Sequence, residues 1–299
     1  MHSLIDTHVH FDLDPVVAAA WVNRAQEAGV TRFVAVGGSP ELNAAALAVA
    51  RAFPQQIKLA VGLDRSQAGK DAGCRMRDAG CGTQDAGCGM QDVRCGLNSQ
   101  PGNEKTACAL PASDFTLPAD LPLAAIGEVG LDYHCHPETK DAQRNLFAEM
   151  LRLAGTHNLP AIIHSREADD DTLRVLDESG SKTRRDAGAL GVAHCFTGGP
   201  EFARALLDRG LYLSFSGIVT FRNADLLRGV ARLVPEDRIL IETDSPFLTP
   251  VPLRGQSNEP AFVTHVAKLL ASVRNVPLEQ LVEQTSANAA RLFGAWPRD

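Results

Sequence analysis

The chain has 299 residues, 44% of them hydrophobic, and a formal net charge of −7. That is enough for one large core, and the acidic balance excludes a surface that coats nucleic acid non-specifically, which needs clustered Lys and Arg. Seven cysteines, an odd number with four in one repetitive stretch, argue against a secreted disulfide framework, and no apolar run approaches the ~20 residues of a membrane span. The first apolar run, SLIDTHVHF (residues 3–11), leaves no room before it for a charged n-region and apolar h-region, so export is not expected. A reduced, cytoplasmic monomer without a membrane partner is the expectation.

That first run carries His8 and His10. On a strand, residues at i and i+2 share one face, so both imidazoles look the same way and suggest a metal. The competing reading, two histidines on the solvated face of an edge strand, is separated from it only by finding further ligands. Apolar runs continue at residues 31–38, 57–63, 123–132, 160–165, 191–199, 211–217 and 238–246, eight in all. Most are separated by helical spacing: in residues 141–158 Leu146, Met150, Leu151 and Leu153 form an apolar side, and residues 200–210 close on a glycine stop signal. Repeated strand–helix alternation implies a parallel sheet with helices outside it, and eight strands close a single (β/α)8 TIM barrel over residues 1–299.

The polar residues that interrupt these runs sit at their C-terminal ends: His8 and His10 on the first, Glu128 on the fourth, His164 on the fifth, His194 on the sixth and Asp244 on the eighth. In a TIM barrel those ends gather at one mouth, where active sites are built. Each residue alone has an ordinary explanation: His194 beside Cys195 as a core histidine, Asp244 in TDSP as a turn residue. Together they would bury four imidazoles and two carboxylates in one cavity. Without a cation that is very costly, whereas divalent metals offset the carboxylates and accept neutral imidazole.

The stretches IDTHVHFD, IGEVGLDYH, IIHSREA, HCFTGG, ETDSPFL and NEPAFVTHVA, in this order, resemble the successive signatures of the TatD family of metal-dependent hydrolases. The resemblance covers residues 4–63 and 123–294. It implies a TIM barrel with a binuclear divalent site, acting as a nuclease or phosphodiesterase, commonly a magnesium-dependent 3′ to 5′ exonuclease; some relatives remove D-amino acids from tRNA. Carried over position by position, it implies that His8 and His10 bind the first metal, Glu128 bridges the pair, His164 and His194 hold the second, and Asp244 returns to the first.

The chemistry is consistent on its own terms, since two metals about 3.5–4 Å apart activate water and offset charge on a phosphoryl oxygen. Glu128 has two oxygens and can serve both ions, which imidazole cannot, and Asp244 can also take a proton from the attacking water. Magnesium, manganese and zinc all suit this mixed donor set. Arg166 follows His164 and could clamp a substrate phosphate, or pair with Glu167 or Asp170. Arg222 and Arg254 lie in loops of the same face and read as solvated arginines. His134 and His136 flank Cys135, but no second ligand pair stands at zinc-site spacing, and NEP (residues 258–260) reads as a structural helix start.

Residues 65–115 differ in kind. A seven-residue repeat sets Asp71, Asp78, Asp85 and Asp92 in register with Cys74, Cys81, Cys88 and Cys95. Six glycines between residues 71 and 98 and one small apolar residue per repeat exclude a coiled coil, so a low-complexity, disordered insertion is expected in place of the helix between the third and fourth strands. Directly before it, VGLDRS puts Asp64 where the resembled family usually has the histidine of glycine-x-histidine-proline, expected near the substrate phosphate. An acceptor-only carboxylate there redirects or weakens phosphate binding, or merely caps a turn. The expected activity is a metal-dependent exodeoxyribonuclease or phosphodiesterase acting on nucleic-acid ends or a small phosphodiester. The alternative is an esterase or amidase of the same metal chemistry, such as a D-aminoacyl-tRNA deacylase.

Overall fold

A computed structural model describes residues 3–69, 115, 117–179 and 190–297. Eight strands form one parallel sheet in chain order: β1 (Leu4–Val9), β2 (Val30–Gly38), β3 (Ile57–Leu63), β4 (Leu123–Asp132), β5 (Ala161–Arg166), β6 (Gly191–Ala193), β7 (Tyr212–Phe215) and β8 (Ile239–Ile241). The sheet closes into the expected (β/α)8 barrel where Val9 bridges Ser245 in parallel. Helices α1 (Pro15–Glu27), α2 (Pro40–Ala52), α3 (Lys140–Thr156), α4 (Asp169–Glu178), α5 (Pro200–Asp208) and α6 (Asp225–Leu233) alternate with the strands, and α7 (Val263–Arg274) and α8 (Leu278–Phe293) follow β8. Among the described residues the β3–β4 connection holds one 3-10 turn, Arg65–Gln67. The repeat expected to be disordered lies outside the described residues.

Local chemistry sets the helix limits. Asp14 and Ser39 accept from backbone N–H groups in the first turns of α1 and α2, each followed by a proline at the first helical position. Gly210 (φ +83°) carries the chain out of α5, giving its N–H to Leu207 O at 2.8 Å, as the glycine stop signal predicts. Period-two alternation divides the apolar residues between two clusters: Val34, Val36, Ala60, Ile162, Val192, Tyr212 and Leu240 fill the barrel, with Leu292 and Phe293 of α8. Phe33, Ala35, Leu59, Ile163, Leu213 and Ile241 pack outward against the helices.

Two departures shape the mouth. The β1–β2 register slips between Asp6 and Val9, so Val9 packs outward although Ile5, four residues earlier, packs inward. Such a bulge re-aims the residues beyond it, here His8 and His10. Strands β6 and β8 are also shorter than the apolar runs suggest, because Cys195 (φ +43°) and Asp244 (φ +59°) turn the chain out of the ladder. His194 and Asp244 therefore project from just beyond their strands.

The β1–β8 seam is held by side chains as well as backbone. Buried Asp6 accepts from Thr243 N (2.9 Å), Thr243 Oγ1 (2.6 Å) and His8 N (3.2 Å), while Asp244 N donates to His8 O at 3.0 Å. Asp6→Ala would strand buried donors on both strands, each worth about 1–3 kcal/mol. We expect a loss of about 3 kcal/mol in stability, read as a lower urea midpoint and melting temperature.

Candidate metal centre

Five of the six residues singled out at the strand ends, His10, Glu128, His164, His194 and Asp244, line one cavity of about 570 Å³ at the barrel mouth, and His8 lies fully buried against Glu128 and Asp244. Glu128, 3% exposed, lies at the centre and presents its two oxygens to different histidine pairs. Oε2 faces His10 Nε2 at 3.4 Å and His8 Nε2 at 3.7 Å; Oε1 faces His164 Nδ1 and His194 Nε2, both at 3.3 Å. Asp244 Oδ1 completes the first group, 3.7 Å from His8 Nε2 and 3.6 Å from His10 Nε2. The imidazole nitrogens also face each other, His8 to His10 at 3.1 Å and His164 to His194 at 3.3 Å.

This donor set fits divalent ions. Ligands held at about 2.0–2.2 Å from one cation stand about 3–3.5 Å from each other, the spacing seen here. His8, His10 and Asp244 place ligand atoms within 4.8 Å of one another, as do His8, Glu128 and His194. The far ring nitrogens point the same way: His10 Nδ1 lies 3.0 Å from Val36 O, His194 Nδ1 3.3 Å from Glu242 Oε1, and His164 Nε2 3.5 Å from Asp132 Oδ2. For His10 and His194 an acceptor on the far nitrogen would, with an ion bound, hold the proton there and leave a lone pair facing the centre, the supporting arrangement of metal-ligating histidines.

The charges are strongly coupled. Burial, and then His194 and His10, hold His8 well below its ordinary pKa, and burial and Arg65 lower His164, so both stay neutral. Burial opposes charge on Glu128, but Arg65 and His194 outweigh it and keep the carboxyl ionised. For His194 burial is outweighed by Glu128 and Glu242, which raise it to about 10. Burial pushes Asp244 up to about 7 against the pull of His194 and His10.

The remaining expectations divide. Arg166, at the end of β5, lines the cavity with Nη1 3.8 Å from Cys135 Sγ, and Arg254 lines it while stacked on Phe221, 4.2 Å to the ring centroid. Arg222 lies exposed. His134 turns to Glu167 (2.8 Å) and His136 to Glu138 (3.8 Å), so the two do not converge on a common ion. Asn258 is buried and donates to Thr243 O (2.9 Å) and Phe247 O (2.5 Å), straddling Asp244 and giving NEP its structural role. Asp64 caps the 3-10 turn, accepting from Ser66 N at 2.8 Å, and its neighbours Arg65 and Ser66 line the cavity.

Three residues escape the sequence reading. Asp132 accepts from His134 N and Cys135 N besides facing His164, and Glu242 accepts from Cys195 N at 2.6 Å besides facing His194. Strand parity could have found both, since Glu242 is two residues before Asp244 and Asp132 four after Glu128. Arg65, whose Nη1 hydrogen-bonds Glu128 Oε1, gave no signal because it opens the repetitive insertion.

Comparison with known proteins agrees with this geometry. The family profile described as TatD related DNase matches residues 5–294. The chain belongs to that family. It is 50% identical over 177 residues to YcfH of Escherichia coli K12, named an uncharacterized metal-dependent hydrolase, a match covering 59% of this chain and 65% of that protein. The chain thus spans just under two thirds of that relative's length. It is 39% identical over 196 residues, 64% of this chain and 71% of the relative, to a Cronobacter sakazakii protein named 3′-5′ ssDNA/RNA exonuclease TatD. The crystal structure of the TatD homologue YJJV of E. coli K12 superposes with a TM-score of 0.75 over 98% of both chains at 26% identity.

Glu242 tests the supporting layer. Glu242→Ala should weaken binding of manganese or zinc about 10–100-fold by isothermal titration, with the far-ultraviolet spectrum unchanged. Affinity equal to that of the unaltered protein would show that Glu242 does not orient His194.

Proposed function

We propose that this TatD-family hydrolase is a divalent-metal-dependent phosphodiesterase that removes nucleotides from the 3′ ends of single-stranded DNA. The observation that carries this reading is the division of Glu128: one oxygen to His8 and His10, the other to His164 and His194. That division sets metal-ligand side chains against both oxygens of one buried carboxylate. Bound divalent ions of the magnesium, manganese or zinc class would supply Lewis acidity, making water a nucleophile near neutral pH and offsetting charge on the phosphoryl oxygens. The exonuclease name of the Cronobacter relative supports the substrate class.

The chain's own residues do the rest. His8, His10 and Asp244 would hold a cation on one side of Glu128, and His164 and His194 face its other oxygen. Asp244, whose Oδ1 stands beside His8 and His10, would take the proton of the attacking water through its carboxylate. Arg166 and Arg254 approach phosphate oxygens from the rim, and the exposed ring of Phe247, 40% accessible, offers an apolar face on which a base can stack. The cavity opens to solvent at the barrel mouth and suits a chain end rather than a long duplex. No helix among the described residues is long and apolar enough to cross a membrane, and Cys135 and Cys195 are reduced thiols; we assign the enzyme to the reducing cytoplasm.

Metal-reconstituted protein assayed against single-stranded DNA, RNA and D-aminoacyl-tRNA should release mononucleotides from the DNA 3′ end. Loss of the aminoacyl ester with no nucleotide released would transfer the assignment to ester hydrolysis. Asp244→Asn should keep part of its metal and lower the turnover number about 10²–10⁴-fold; an unchanged rate removes Asp244 from proton transfer.

A further inference from the structure

The cation positions on the two sides of Glu128 are not alike. On the side of Oε2 stand His8, His10 and Asp244, and the contacts there run from 3.1 to 3.7 Å. On the side of Oε1, where His164 and His194 wait, the Arg65 guanidinium already hydrogen-bonds that oxygen through Nη1. The same guanidinium lies 3.5 Å from Asp64 Oδ2 and 4.0 Å, through Nε, from Asp132 Oδ2. Three carboxylates therefore surround one fixed positive charge.

The fold presets this arrangement. Asp64 N donates to Gly38 O at 2.7 Å, anchoring the end of β3 to β2, and Ser66 N, donating to Asp64 Oδ1 at 2.8 Å, closes the turn that carries Arg65. Gln67 N then donates to Asp64 O at 2.9 Å. Guanidinium cannot give up its charge at any working pH, and its planar fork is suited to several carboxylates at once. A divalent ion at the Oε1 position would have to share Glu128 with it at contact distance, under strong like-charge repulsion in a buried setting.

We propose that Arg65 takes the place of one of the two cations: the chain binds a single divalent ion, on the His8, His10 and Asp244 side of Glu128, and Arg65 supplies the positive charge on the His164 and His194 side. This rests on the metal-dependent reading above. The charge that would offset a phosphoryl oxygen on that side comes from the polypeptide. Arg65 lines the cavity and is one-fifth exposed at its side chain, so N–H groups beyond those on Glu128 are available to a substrate oxygen. His164 and His194 then act on the carboxylate and on Arg65's surroundings instead of on an ion of their own.

The test counts ions. Full-length protein is stripped with EDTA, reloaded with manganese or zinc, freed of excess ion by gel filtration and analysed by mass spectrometry for metal per chain. One ion in the unaltered protein and two in Arg65→Ala is the expected result, with Arg65→Gln as the second variant should the alanine form fail to fold. Adding His164→Ala to the two-ion variant should return the count to one, placing the gained ion beside Oε1. Two ions in the unaltered protein overturn the proposal, as does one ion in every folded Arg65 variant or a count of two that survives His164→Ala. No ion bound by the unaltered protein would instead overturn the metal-dependent reading on which the proposal rests.

Discussion

The centre of this protein depends on keeping one carboxylate ionised where almost no water reaches it. Glu128 is 3% exposed, and burial alone would protonate it. Positive charge has to be brought to both of its oxygens, and the barrel does this by ending β1, β5, β6 and β8 around the end of β4. The close packing of β4 against β5 is part of the same constraint. Gly130 has φ +130°, and a Cβ there would stand 2.1 Å from His164 O, so only glycine lets the strand carrying Glu128 lie flush against the strand carrying His164.

A second tier of carboxylates makes the first usable. Asp132 and Glu242 each accept from backbone N–H groups of a mouth loop while facing a histidine of the centre, so loop, ring and ion position are fixed by one side chain. This tier is what turns a cluster of titratable groups into a ligand set, because an imidazole free to choose its tautomer offers a proton as readily as a lone pair. The cost is more negative charge near Glu128, which the Arg65 guanidinium, set between Glu128 and Asp132, offsets. Charge balance and hydrogen bonds together thus link residues at the ends of β3, β4, β6 and β8.

Much of this was legible in the sequence, for identifiable physical reasons. Eight apolar runs separated by helical spacing have few packings other than a barrel, and strand ends are where a barrel gathers polar groups. His8, His10, Glu128, His164, His194 and Asp244 could be named because each interrupts an apolar run, a costly choice without a purpose. Asp132 and Glu242 break runs too, but adjacent to stronger candidates, and their work on the far side of a ring has no local signature. Arg65 was invisible for a different reason: it opens the repetitive insertion, and its role is set by a partner on the neighbouring strand, 63 positions later in the chain. The slip in β1 was equally hidden, since register is decided by the partner strand.

Backbone conformation at the mouth shows where the frame stores the cost of this arrangement. Among the described residues, six that are not glycine have positive φ. Asn275 is the left-handed cap of α7 and Asn158 lies just beyond α3, the residue type and setting in which that conformation is cheapest. The other four, Glu167, Cys195, Asp244 and Leu248, all lie just past β5, β6 and β8 at the mouth. Each such residue costs on the order of 1–3 kcal/mol unless its surroundings over-determine it. Here they do: Cys195 N is held by Glu242, Asp244 N by His8 O, and Asn258 pins the carbonyls of Thr243 and Phe247 on either side of Asp244. These left-handed turns stand at the strand ends from which His194 and Asp244 enter the centre, and the seam around Asp6 holds the β1–β8 side of them.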